Sequence, residues 1–306
     1  MTDNPALGIS LSLLSGFLFA GMFVSVKAVS EDVPLGEIVF FRSFFALIPL
    51  VIFLWLRGEF PAGLATKRPG AHFIRSSFGA LALFTSFAAV ARLNVAEASL
   101  VAQLAPVLTT LAAVILLGER LTGWRVAGLA LGFGGVIVLV WPELSASTDA
   151  TRLAGYLIGL VSAGLTALAL IMVRSLTKTE SPGAIALYFV IASMAGALLT
   201  IPWGWVMPAP GTLLLLVSAG LFGGFAHIAM TLAFRYAEAS RLAPFEYVAL
   251  LWPLFADLLI FRVTLSTSFY LAAPIVLGAA ILAGMERARP SADLDAKGRA
   301  SHLSKR

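Results

Sequence analysis

Arg42, His227, Glu246 and Asp257 each stand inside an apolar run long enough to cross a bilayer. An ionisable group at that depth is expensive, so such residues face a protein interior or a water-filled path rather than lipid. Arg42 supplies a guanidinium that either meets an anionic solute group or pairs with Glu37 or Asp257 to stitch helices together. An interior carboxylate without a partner takes up a proton and can hand it on. Glu246, with His227 and Asp257, is therefore a candidate for gating or coupling. His227 also has the plainer reading of a hydrogen-bonded interior histidine. Asp257 follows Glu246 by eleven residues and returns to the same helical face within about 20°. Pro253 stands between them and frees a carbonyl one turn earlier, for a bend or a ligand.

Around these charges lie uncharged groups suited to line a path. The expected pathway set is Arg42, Phe78, Ser86, Gln103, Thr110, His227, Glu246, Tyr247 and Trp252. Small and polar stripes recur at helical spacing, as in Gly8, Ser12 and Ser15, in Gly155, Gly159 and Ser162, and in Gly220, Gly224, His227 and Thr231. Aromatic walls, drawn from 22 Phe, 6 Trp and 5 Tyr, suit amphipathic organic solutes better than bare ions. There is no cysteine, and the three histidines are His72, His227 and His302. That stock offers neither a metal cluster nor a nucleophile constellation, so no cofactor and no enzymatic activity are expected.

The elements that position these residues follow from composition. Of 306 residues 59% are hydrophobic and 12% charged, with a mean hydropathy of +0.95. A soluble domain carries about 25% charged residues, which excludes a soluble enzyme, a nucleic-acid binder and a disordered regulator. Apolar runs predict an all-α integral membrane protein with spans at 6–28, 36–56, 72–91, 95–117, 124–141, 153–174, 183–203, 211–235, 241–261 and 268–285. Each covers the bilayer at about 20 residues per crossing. Helices 5 and 10 carry almost no polar groups and are expected at the periphery. The Gly128-x-x-x-Gly132 step on helix 5 suits packing within a monomer, or a dimer through helices 5 and 10. With both termini on one side, that side holds sixteen Lys or Arg and the other four, which with Arg42 account for all 21. Both termini are therefore expected in the cytoplasm, with a basic tail at 286–306.

The chain is also written twice. Gly8, Ser15 and Ala20 recur as Gly155, Ser162 and Ala167; Ala96-Glu97-Ala98-Ser99 recurs as Ala237-Glu238-Ala239-Ser240; Leu131 and Gly132 recur as Leu277 and Gly278. Five spans per half invert the second repeat, so the expected units are 6–141 and 153–285 around a central cavity. Such inverted repeats serve alternating access. Phe40-Phe41-Arg42-Ser43, Ala105-Pro106 with Gly118-Glu119-Arg120-Leu121, and Ala243-Pro244-Phe245-Glu246-Tyr247 resemble the EamA modules of the drug/metabolite transporter superfamily. The second half departs from that pattern, with Arg262-Val263 where Gly-Glu would recur. The resemblance implies a ten-helix inner-membrane secondary carrier, similar to bacterial aromatic-amino-acid exporters. Its expected substrate is an aromatic or other neutral amino acid, or a related small metabolite. A drug carrier of the same fold is the alternative, a membrane-embedded enzyme the more distant one. Sugar-phosphate carriers of the superfamily need cations for phosphate, and Arg42 is the sole Arg or Lys well inside an expected span, which argues against them.

Overall fold

The computed structural model describes residues 4–61, 64–117, 123–145, 150–177, 179–237, 242, 245 and 248–285. Among these residues every long element is a helix and there is no strand. In order they are α1 (Pro5–Val29), α2 (Leu35–Leu56), α3 (Pro69–Arg92), α4 (Val95–Ala102), α5 (Ala105–Leu117), α6 (Gly123–Ser145), α7 (Ala150–Leu176), α8 (Pro182–Leu198), α9 (Pro210–Tyr236), α10 (Leu251–Leu259) and α11 (Thr267–Met285). Seven segments are long and apolar enough to cross a membrane, with α4 and α5 counted together as one of 22 residues. The shorter apolar helices α8 and α11, and the ninth span to which α10 belongs, complete the ten-helix membrane fold.

Prolines set several boundaries. α1, α3, α8 and α9 open with Pro in the first turn, where its missing N–H has no intrahelical partner to lose. The sequence reading treats Pro69-Gly70 as loop and starts the third span at 72. The structure starts it at Pro69, which carries Arg75 nearly two turns into the helix.

Prolines also break what periodicity alone reads as continuous. The fourth span, expected unbroken over 95–117, is interrupted at Gln103–Leu104. Pro106 has no N–H for the carbonyl of Ala102, and the backbone tightens there, with Leu104 N–H donating to Val101 O at 3.0 Å. In the ninth span a turn at Ala249–Leu250 precedes Pro253 by one turn. The seventh span, expected to run to 203, ends at Leu198; a short 3-10 turn at Ile201–Trp203 then closes on Gly204, whose φ of 87° favours glycine.

Packing pairs helices across the halves. α1 lies against α9 and α3 against α7; α2 touches α9 as α3 touches α8; α2 meets α8, and α6 meets α11. Exchanging the halves maps this set onto itself, because α1 corresponds to α7, α2 to α8, α3 to α9 and α6 to α11. Equivalent residues make equivalent contacts. The Ser15 hydroxyl donates to Ala226 O on α9 at 3.0 Å, and the Ser162 hydroxyl donates to Ala82 O on α3 at 2.9 Å. A Cβ on Gly8 would stand 2.6 Å from Ala237 Cβ beyond α9, and one on Gly155 2.9 Å from Leu93 Cγ beyond α3. The small-residue stripes of α1 and α7, expected along a path, are thus the seams against α9 and α3. On α9, Gly220 and Gly224 pack on Phe45, Ala46 and Pro49 of α2, while Thr231 faces outward.

α6 and α11 pack mainly on each other. Gly132 meets Leu104, Val107 and Ala279, so this glycine is used inside the chain. Phe133, Ile137 and Trp141 of α6 are exposed, as a lipid-facing surface requires.

Candidate functional site

Arg42 of α2 is 1% exposed, the largest fully buried side chain described. Its Nη2 lies 3.3 Å from Nε2 of His227 on α9, and its Nε 3.4 Å from Met22 Sδ on α1. Arginine has no acceptor, so His227 Nε2 must accept from it, which places a neutral ring's N–H on Nδ1. Glu37 and Asp257, the expected partners of Arg42, are engaged elsewhere. Glu37 accepts the Val206 N–H at 2.9 Å, and Asp257 accepts the Val95 and Ala96 N–H groups at 3.1 and 2.7 Å. The two central residues of the site therefore come from opposite halves of the chain.

Aromatic rings frame this pair. His227 stands edge-on to Phe19 of α1 at 5.1 Å and to Phe189 of α8 at 6.2 Å between centroids. Over the ring of Phe189, at 4.6 Å, lies the guanidinium of Arg75 from α3. Its Nε and Nη1, like Nη1 of Arg42, are buried without a hydrogen-bond partner among the described residues. Arg75 is thus a second cation directed into the protein. In sequence Arg75 falls on the polar stripe of the third span with Gly79 and Ser86, yet close to the expected helix start it counts among the cytoplasmic basic residues.

The other pathway candidates are spread more widely. Phe78 and Ser86 are half-buried on α3, and Gln103 is half-buried at the α4–α5 break. Thr110 is buried and its hydroxyl donates to Pro106 O at 3.1 Å. Trp252 of α10 packs edge-on against Phe17 at 5.4 Å, with its Nε1 buried and unpartnered among the described residues. Glu246 and Tyr247, and with them Glu119 and the tail from 286, lie outside the described residues. Among the described residues no three His, Cys, Asp or Glu gather as a metal site would require.

Both ends of the bundle are tied by polar contacts. At one end Arg152 bridges Glu97 (3.0 Å) and Glu143 (2.7 Å), while Lys27 Nζ donates to Ala91 O at 3.1 Å. At the other, Glu180 accepts from the Lys67 N–H at 3.3 Å and stands 3.4 Å from His72 Nε2. Burial raises the Glu180 carboxyl, but the Thr66 hydroxyl, the nearby His72 ring and the Lys67 amide outweigh it and leave it below the usual carboxylate range.

Residues 6–141 match the EamA-like transporter family. The pseudopaline exporter of Pseudomonas aeruginosa is 31% identical over 254 residues, covering 80% of this chain and 84% of the relative. A riboflavin transporter of Rhizobium johnstonii is 27% identical, covering 91% of each chain. An S-adenosylmethionine uptake transporter of Rickettsia prowazekii is 28% identical, covering 85% and 87%. One solved crystal structure superposes with a TM-score of 0.64 at 21% identity over 92% of this chain and 99% of the other, a likeness of fold alone.

Proposed function

The chain belongs to the EamA-like transporter family, and from that premise we propose a secondary carrier that exports amino acids or related small metabolites across a bacterial inner membrane by alternating access. Family membership carries transport of a small metabolite across a membrane; amino-acid identity, outward direction and alternating access are proposed. The observation that carries it is the meeting of Arg42 and His227, one from each half, in an interior walled by aromatic rings. At 1.5 Å per residue Arg42 lies about 5 Å and His227 about 6 Å from the centre of its helix, on opposite sides. Inverted repeats place a solute site at that depth, where rocking of the helices exposes it to each side in turn. The sixteen-to-four distribution of basic residues supports both termini, and the tail at 286–306, in the cytoplasm. The two units proposed are 6–141 and 153–285.

Purified protein in liposomes tests the reading. Saturable uptake of a labelled amino acid, accelerated by the same amino acid inside, is expected, and absence of flux for amino acids and other metabolites would overturn it. A proton gradient separates coupled from downhill movement. Glu246→Gln is expected to alter the pH dependence of flux, and an unchanged pH profile would remove Glu246 from coupling.

A further inference from the structure

We infer that Arg42 and Arg75 together form an oxyanion site, and that the solute this carrier takes is an organic carboxylate with an apolar body. The inference rests on the carrier reading above and names the chemical class of its substrate.

Two guanidiniums enter one apolar interior, and among the described residues neither has a carboxylate within ion-pair distance. Arginine cannot shed its proton in a protein, so both charges are permanent. What surrounds them compensates poorly. Arg42 has a thioether sulfur and an imidazole nitrogen, and Arg75 has the face of Phe189. Other buried charges in the same molecule are answered: Glu97 by Arg152, Asp257 by two backbone amides, Glu37 by the Val206 amide. Among the described residues, the buried charge left without a carboxylate or amide partner is Arg42, and the half-buried Arg75 lies near it where the two halves meet around His227. A buried charge without a partner is strongly unfavourable, and an anionic ligand relieves two at once.

The backbone also makes room for both cations. A Cβ on Gly223 would stand 3.0 Å from Nε and Nη2 of Arg42, and a Cβ on Gly79 3.2 Å from Nη1 of Arg75. Each guanidinium lies against a glycine of the neighbouring or its own helix, which helps hold it in place, while three nitrogens of the pair, Arg42 Nη1 with Arg75 Nε and Nη1, have no hydrogen-bond partner among the described residues. Guanidinium N–H groups match the oxygens of a carboxylate or a phosphate. Phe19 and Phe189 offer the apolar body a surface beside the anionic group. The absence of a second interior cation, the ground on which the sequence argues against sugar-phosphate carriers, does not hold in the structure.

A matched series with one phenyl group tests the site: 3-phenylpropionate, phenylsuccinate, phenyl phosphate and the neutral 3-phenylpropanamide, with binding to purified protein read by ligand-induced thermal shift. The carboxylates are expected to bind at least about tenfold more tightly than the amide, and R42Q and R75Q each to remove about tenfold or more of that affinity. An amide that binds as well as the acids overturns the site without any variant being made, as does a wild type that binds none of the series. Retained wild-type affinity in both variants also overturns it, and binding of phenyl phosphate alone replaces the carboxylate with a phosphate ester. If either Gln variant fails to fold, R42K and R75K keep the charge but not the planar fork and are expected to weaken the acids while leaving the amide unchanged. Liposome flux that ignores solute charge would leave the carrier and remove this site; selective acid binding with no flux of any solute would do the reverse.

Discussion

A single methyl group is enough to disturb a guanidinium packed against a glycine. Gly223→Ala would bring Cβ to 2.9 Å from Met22 Sδ and 3.0 Å from two nitrogens of Arg42, so the buried Met22 and Arg42 side chains, or α9 itself, must shift. Overpacking of this kind costs about 1–3 kcal/mol, and a lowered unfolding midpoint in detergent is the expected reading. Glu180 gives a pH signature at the same scale. Its carboxyl is held below its ordinary value of 4.5, so its stabilising contribution is complete above that value and is lost as pH falls through the lower folded value. Melting temperature measured from pH 7 down to pH 3 should therefore fall more in the wild type than in Glu180→Gln, and parallel curves would refute the assignment. Arg42 and His227 are legible in sequence because each interrupts an apolar run. Arg75 is legible only in part: it falls on the polar stripe of the third span with Gly79 and Ser86, but the helix start that Pro69-Gly70 disguises and the inward turn of its side chain onto Phe189 do not show in sequence.

Helix ends decide more here than helix faces. Asp257 lies on the last full turn of α10, yet its carboxylate accepts the first two amides of α4, joining a span of one half to a span of the other. Negative charge is favoured at a helix N-terminus, and a hydrogen bond to a charged group contributes about 1.5–3 kcal/mol. Asp257→Ala is expected to lower the unfolding free energy by about that much, and Asp257→Asn, which keeps one acceptor oxygen, by less. Equal stability in all three proteins would sink the capping role and return Asp257 to gating alone. Sequence periodicity places Asp257 on the face of Glu246 but contains nothing about α4, since the contact spans 161 residues of chain. The breaks in the fourth and ninth spans are legible in part: Pro253 signals a bend, whereas Pro106 figures in the sequence as part of the repeat and of the family resemblance, although it interrupts an apolar run that hydropathy alone joins.

Across the whole molecule the repeat is legible in sequence, but the way the repeats share their helices is not. A simple duplication suggests that each half moves as its own bundle. Instead α1 packs on α9 and α7 on α3, so the tightest seams join one half to the other. Under the proposed alternating access, the units that would rock are then mixed: α1 with α9, and α3 with α7, each sealed by small residues and a serine hydroxyl bonded to a partner carbonyl. Packed interfaces of this kind are either kept or exchanged as a whole, not stretched. The chain has no cysteine, so an introduced pair forms a defined bond. A Cβ built on Gly159 of α7 falls 3.7 Å from Ala89 Cβ of α3, inside the Cβ separation of about 3.5–4.5 Å that a disulfide spans. Gly159→Cys with Ala89→Cys should therefore oxidise readily and, because the seam stays closed through the cycle, leave liposome transport within about twofold of the reduced protein. Arrest on oxidation, reversed by reductant, would mean that α3 slides past α7 and that the halves themselves are the moving parts.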